Sequence, residues 1–227
     1  MHMTKRKVPF AVGEWYHCYN HGIEKRIVFQ DTRDYHRFLE LLYLANEEFP
    51  LRRGDIGINK FEETLRVSRG KKLVAIGAFC LMPNHFHLVL KEIRDGGITM
   101  FMRKIGTAYT MYFNARHGRR GNLFIGPFQS RHVSTDRYFQ YLINYVHCNP
   151  AALYEPEWKI GHVADPQFLW EQIVAYPYSS LGAHTGVRTL TSTILDAEVF
   201  SMTHTVRIQK MLQEARQYCT HFDSDLP

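Results

Sequence analysis

Leu73-Val74-Ala75-Ile76-Gly77-Ala78-Phe79-Cys80-Leu81-Met82-Pro83-Asn84-His85-Phe86-His87-Leu88-Val89-Leu90 is the stretch on which the fold turns. Its first half, 73–82, is nearly all apolar, which suits a strand buried on both faces; a short buried helix would show the same pattern. Pro83-Asn84 reads as a turn. Beyond it Phe86, Leu88 and Leu90 point one way and His85, His87 and Val89 the other. The two halves form an antiparallel hairpin in the middle of a sheet. Residues two apart on a strand share a face, so the imidazoles of His85 and His87 stand side by side and can share one metal ion, while Phe86 anchors the strand from behind. In a chain with 13 histidines, that spacing alone is better read as two polar residues on a solvated strand face. The apolar neighbour shifts the balance, because it marks the strand as central.

Outward from the hairpin, a first strand reads over 14–20 and is turned by Asn20-His21-Gly22. Asp31 is an N-cap, with Asp34 in the first turn of a helix whose apolar positions are Phe38, Leu41, Leu42, Ala45 and Phe49. The polar, Gly-containing stretch 52–72 reads as a long connection and a candidate mobile loop. A second helix spans about 98–116 with the stripe Ile98, Phe101, Met102, Ile105, Tyr109 and Tyr112. A basic turn follows over 116–121, then short strand-like pieces, taken as a hairpin, over 123–133. Ser134 or Thr135 caps a third helix that runs to Asn149, where Pro150 stops it. Strand, helix, strand, strand, helix around one antiparallel sheet is an α+β, ferredoxin-like (RRM-like) plan. A last helix over 206–219 belongs to a C-terminal helical extension.

A length of 227 residues suits one domain with additions, or two small ones, at about 150 residues per domain. With 45% hydrophobic and 22% charged residues the chain has the composition of a soluble globular protein. Its net charge of +6 favours polyanionic partners, nucleic acid first and acidic membrane second. Cys18, Cys80, Cys148 and Cys219 include no C-x-x-C pair, so a disulfide framework is not expected and a reducing compartment fits. The basic stretch 1–7 precedes an apolar run broken by Pro9, which does not read as a signal peptide. No stretch approaches the roughly 18 apolar residues of a membrane helix, and a cytoplasmic protein is expected.

The third helix ends Tyr145-Val146-His147-Cys148-Asn149-Pro150. Tyr145 and Asn149 are four apart and share a helix face. The Asn149 amide can complete a His-His-Asn metal set, with the Tyr145 phenol beside it. By periodicity alone, however, Tyr138, Tyr141, Leu142 and Tyr145 read first as a core stripe, and His147 points away. His17, on the first strand, fits either a place near the site or the core, and core is the preferred reading.

Met82-Pro83-Asn84-His85-Phe86-His87-Leu88 resembles the histidine-hydrophobe-histidine (HUH) motif of the small single-tyrosine transposases, and most of all that of the REP-associated tyrosine transposases. The likeness continues in Tyr16 to Gly22, in Tyr112 to Arg120 with Gly121-Asn122-Leu123-Phe124, in Tyr145 to Pro150 and in Tyr176-Pro177-Tyr178-Ser179-Ser180, and covers about 15–181. One departure is Phe128-Gln129-Ser130-Arg131-His132, where the family often has aromatic-x-x-Arg-aromatic; the resemblance still implies Arg131 as a DNA contact or a support for the site.

The resemblance implies a transposase domain over 1–181 and an extension over 182–227. It implies His85, His87 and Asn149 as ligands of Mg²⁺ or Mn²⁺, although imidazole also suits zinc, and Tyr145 as the nucleophile. The implied activity is cleavage and rejoining of single-stranded DNA carrying hairpin (repetitive palindromic) elements through a 5′-phosphotyrosine link, in a bacterial, nucleoid-associated setting. Arg103, Lys104, Arg116, Arg119, Arg120 and Arg131 are candidate DNA contacts; a solvated face explains them equally well. The extension is open to three roles: covering the site, binding DNA or supporting a homodimer. Two rival readings stand: a metal-dependent nuclease that uses water, and a non-catalytic nucleic-acid-binding regulator.

Overall fold

Met82 pairs with His85 across the two-residue turn Pro83-Asn84, so β2 (Val74–Met82) and β3 (His85–Glu92) form the hairpin that the sequence implies. The computed structural model describes residues 9–49, 54, 57, 60–204 and 206–222. β1 (Trp15–His21) pairs with β3 on one side and with β4 (Gln129–Val133) on the other, giving one antiparallel sheet in the order β2-β3-β1-β4. The helices are α1 (Thr32–Leu44), α2 (Phe61–Thr64), α3 (Gly97–Arg116), α4 (Asp136–Cys148), α5 (Pro166–Ala175), α6 (Leu181–His184), α7 (Val199–Met202) and α8 (Ile208–Phe222). The run β1-α1-β2-β3-α3-β4 in this strand order is the ferredoxin-like arrangement.

Each sheet face has its own core. Tyr16, Cys18, Ile76, Phe79, Leu81, Phe86, Leu88 and Leu90 pack against α1 and α3. Trp15, Ala78, Cys80, Met82, Val89 and Val133 pack against α4, α5 and α8. Ile76 and Phe79 differ in parity yet share a face because the ladder shifts register between Ile76 and Ala78. The extra residue is Gly77, and a bulge of this kind resets the alternation. A Cβ on Gly77 would meet the Trp15 ring. Downstream of the bulge, β2 thus presents Cys80 opposite His87 and Met82 opposite His85 on the face that α4 covers.

Local signals position the helices. Asp31 accepts from the amides of Arg33 and Asp34 at the start of α1, and Thr135 accepts from Tyr138 N at the start of α4. α1 ends before Phe49, which is 77% exposed instead of continuing the stripe. Asn46 explains the stop: its amide donates to Val74 O and accepts from Leu73 N and Val74 N, turning the chain toward β2. Over 123–133 there is one strand and an isolated Gly22–Phe124 bridge rather than a hairpin. Pro127 lacks the amide a ladder needs, and Gly126 has φ +55°. The stretch Tyr176–Ser180 lies along the outer edge of β2: Leu81 N donates to Tyr178 O and Ser180 N to Phe79 O, which covers the exposed edge. Of the connection expected over 52–72, residues 54, 57 and 60–72 are described and contain α2; the rest of it, like the basic stretch 1–7, lies outside the described residues.

All four cysteines are free and buried. No described helix is long and apolar enough to cross a membrane.

The turn after β1 is sterically fixed. Gly22 N donates to Asn84 O, and a Cβ on Gly22 would collide with the Arg26 carbonyl oxygen and stand 2.8 Å from Val28 Cγ1. Its φ of −62° suits any residue, so the constraint is space alone. Gly22→Ala should lower unfolding stability by about 1–3 kcal/mol in urea titration; an unchanged midpoint would show that the turn can give way.

Candidate active site

The hairpin turn sets the first histidine. Pro83 O accepts from the amides of Val28 and Phe29, and Asn84 O from Gly22, so the segment after β1 clamps the turn. Asn84 Oδ1 lies 2.7 Å from His85 Nδ1. An amide oxygen only accepts, so Nδ1 carries the hydrogen and Nε2 carries the lone pair. His87, two residues on and on the same face, has Nδ1 2.9 Å from His17 Nε2. The ring centroids of His85 and His87 are 4.9 Å apart. Nε2 of both rings is buried and makes no hydrogen bond among the described residues.

α4 brings the second half. The Tyr145 ring lies 5.3 Å from His87 and 5.9 Å from His17, centroid to centroid. One turn on, Asn149 Nδ2 donates to Tyr145 O at 2.8 Å, which spends its N–H on the helix and leaves its oxygen for other use. The Asn149 side chain also neighbours the His85 ring and favours its protonated form, against the larger effect of burial. No well-formed hydrogen bond reaches His85 Nε2, however. The structure thus brings His85, His87, Tyr145 and Asn149 together.

Three further residues reach this cluster. His17 reads as core in the sequence; it is fully buried, but it bridges His87 and the hydroxyl of Tyr218, the latter 2.9 Å from its Nδ1. Tyr218 is carried by α8 and stacks on Tyr145 at 5.1 Å. Lys159, in the 3-10 turn Trp158–Ile160, holds Nζ 5.7 Å from the Tyr145 ring, and its charge bears on both His85 and His87. Sequence reasoning had only one signal for any of them, namely that His17 shares parity with the β1 residues opposite the site.

The basic candidates divide. Arg131 on β4 pairs in register with His17, and its charge acts on His17 and Tyr218. Arg103, Lys104 and Arg116 lie on α3 and Arg119 and Arg120 just beyond it, on the opposite side of the sheet. Lys104 Nζ donates to the carbonyls of Glu47 and Glu48, Arg116 pairs with Asp31 and Asp34, and Arg119 donates to Asn114. A surface depression of about 690 Å³ beside the Lys159 turn is lined by Glu155 and Glu157, the wrong sign for a polyanion.

Burial sets the electrostatics. It pulls His17 and His85 down to about 3 and His87 well below its ordinary value; neighbouring groups add to this, Arg131 at His17, His21 and then Lys159 at His85, and His85, His17 and then Lys159 at His87. At neutral pH all three rings are neutral, the state in which imidazole binds a cation. Among the described residues no three His, Cys, Asp or Glu side chains group as a metal site. The set here is instead two imidazoles and an amide, and two buried Nε2 atoms without hydrogen-bond partners among the described residues fit a cation once each presents its lone pair.

No family model matches the chain, and no curated protein matches it. Among solved structures, a REP-associated tyrosine transposase bound to a REP hairpin is similar to this chain at 14% identity, over 83% of this chain and 90% of the other, with a TM-score of 0.49. At that level of likeness no residue role passes from one chain to the other.

Four buried imidazoles, His17, His85, His87 and His147, and the half-buried His184, the last at about 4, are held neutral by loss of solvent. Unfolded, each titrates near about 6.5. Below that pH the unfolded chain takes up protons that the folded chain refuses. Stability is therefore full above about 6.5 and falls as pH drops toward the folded values, by about 1.4 kcal/mol per unit for each ring that stays neutral. Urea midpoints should fall steeply between pH 7.5 and 5.5; a flat profile would contradict the buried neutral state.

Proposed function

We propose that this protein is a metal-dependent endonuclease and strand transferase for single-stranded DNA, with Tyr145 as nucleophile and His85, His87 and Asn149 as ligands of Mg²⁺ or Mn²⁺. The observation that carries the reading is the meeting of Tyr145 and Asn149, on one face of α4, with two buried imidazoles whose Nε2 atoms are left over. The motif resemblance, in its order and spacing along the chain, supports the same assignment and points to DNA bearing hairpins as substrate.

When bound at His85, His87 and Asn149, the cation supplies charge neutralisation and polarisation at the scissile phosphodiester. The chain's own residues do the rest. The Tyr145 oxygen bonds to phosphorus as the bond to the 3′ oxygen breaks; the phenol loses its proton and the released strand ends in a 3′-hydroxyl. The 5′ end stays on Tyr145 as a phosphotyrosine. Because the bond energy is kept in that ester, a 3′-hydroxyl can attack it and rejoin strands without an external energy source. Lys159 is placed to stand beside the phosphate as a compensating charge. Asn149, bonded to the Tyr145 carbonyl, holds ligand and nucleophile on one turn of helix.

One observation favours a second reading. Tyr145 and His87 are both 0% exposed, and Tyr218 lies over Tyr145. DNA reaches this tyrosine only if the covering helix moves. If it does not, Tyr145 is a core residue and water is the nucleophile of a simpler nuclease.

Incubation with hairpin-bearing single-stranded DNA and Mn²⁺ separates the two. The intact protein should give a protein–DNA adduct that survives denaturation, and Tyr145→Phe should give none. Cleavage that persists in Tyr145→Phe would replace the tyrosine mechanism with water.

A further inference from the structure

A metal-binding histidine needs one nitrogen bare and the other held. For His85 the turn supplies the second requirement within two atoms' reach, through Asn84 Oδ1. His87 has no such neighbour in sequence. Its Nδ1 meets His17 Nε2 at 2.9 Å, and His17 Nδ1 meets the Tyr218 hydroxyl at 2.9 Å. All three side chains are buried, at 0%, 0% and 1% exposure. Tyr218 lies 201 residues from His17, on the helix that closes the described chain.

Two proton arrangements satisfy this row. In one, the Tyr218 O–H donates to His17 Nδ1, His17 Nε2–H donates to His87 Nδ1, and His87 keeps its hydrogen on Nε2. That hydrogen then points into the site as a buried donor with no acceptor among the described residues. In the other, His87 Nδ1–H donates to His17 Nε2 and His17 Nδ1–H donates to the Tyr218 oxygen. His87 Nε2 is then a bare lone pair beside that of His85. Only the second arrangement can ligate, and it requires an acceptor at each step: an unprotonated Nε2 on His17 and an oxygen at position 218.

We propose that His17 and Tyr218 are positioning residues for His87: by accepting from His17 Nδ1–H, the Tyr218 oxygen on α8 supports, through His17, the tautomer of His87 that binds a divalent cation. This rests on the metal reading given above. It makes the C-terminal helix a working part of the cation site: the same α8 that lies over Tyr145 also holds the ligand. Cation binding and the seating of Tyr218 are then coupled in both directions.

The test is Mn²⁺ binding to the full chain, followed by isothermal titration calorimetry and by electron paramagnetic resonance of free Mn²⁺, with thermal melting as a check on folding. The intact protein should bind Mn²⁺, and His85→Ala and His87→Ala should not. His17→Ala should weaken Mn²⁺ roughly 10- to 100-fold, the usual effect of losing the partner of a ligating histidine. His17→Gln, whose amide oxygen can still accept from His87 Nδ1, should recover much of that loss. Tyr218→Phe keeps the ring on Tyr145 and the packing of α8, and should weaken Mn²⁺ by roughly three- to tenfold, the worth of one hydrogen bond. If His17→Ala does not fold, Tyr218→Phe decides. Undiminished Mn²⁺ affinity in Tyr218→Phe, or equal losses in His17→Ala and His17→Gln, would overturn this inference and leave the metal reading standing. No Mn²⁺ binding by the intact protein, or binding unaffected by His85→Ala and His87→Ala, would overturn the metal reading and this inference with it.

Discussion

Burying His85 and His87 on the covered face of the sheet costs free energy unless every ring nitrogen finds a partner, and this constraint organises the rest of the molecule. Half of the requirement is met by protein: Asn84 serves Nδ1 of His85, and His17 serves Nδ1 of His87. Meeting it draws in structure from far along the chain. The segment 22–29 clamps the Pro83-Asn84 turn, and α8 delivers Tyr218 to His17. The other half, the two Nε2 atoms, is met by nothing in the protein among the described residues. These two atoms stand close together, near the Asn149 amide and the Tyr145 ring.

The placement of the sheet makes this possible. α1 and α3 occupy one face, as in other folds of this plan, and supply the larger apolar core. The second face would be open in the bare ferredoxin-like arrangement. Here α4 and α8 close it, so the histidines and Tyr145 sit in an interior rather than on a platform. Burial keeps the imidazoles neutral and available for a cation. It also encloses Tyr145, over which α8 lays Tyr218.

Much of this was legible in the sequence, and the reasons are local. The turn, the alternation after it and the run of apolar residues before it define β2 and β3; Asp31 and Thr135 announce the starts of α1 and α4; the four-residue spacing puts Tyr145 and Asn149 on one face. What was not legible depends on distant contacts. The His17–Tyr218 bond joins opposite ends of the chain, and nothing near either residue advertises it. Gly77 reads as one more small apolar residue, yet as the bulge it determines which face Cys80 and Met82 occupy. The basic residues of α3 lie close to the site helices in sequence, whereas the sheet stands between them and the histidines. Arg131 faces the other way only because β4 pairs with β1 in the register that sets it opposite His17.

The central claim is that His85, His87 and Asn149 hold one cation beside Tyr145. Anomalous diffraction from crystals of the full chain grown with Mn²⁺ tests it most directly. The account predicts a single strong anomalous peak within bonding distance of Nε2 of His85, Nε2 of His87 and Oδ1 of Asn149, with the Tyr145 oxygen adjacent. Density showing these atoms bridged by water or by one another, with manganese absent from the site, would contradict it.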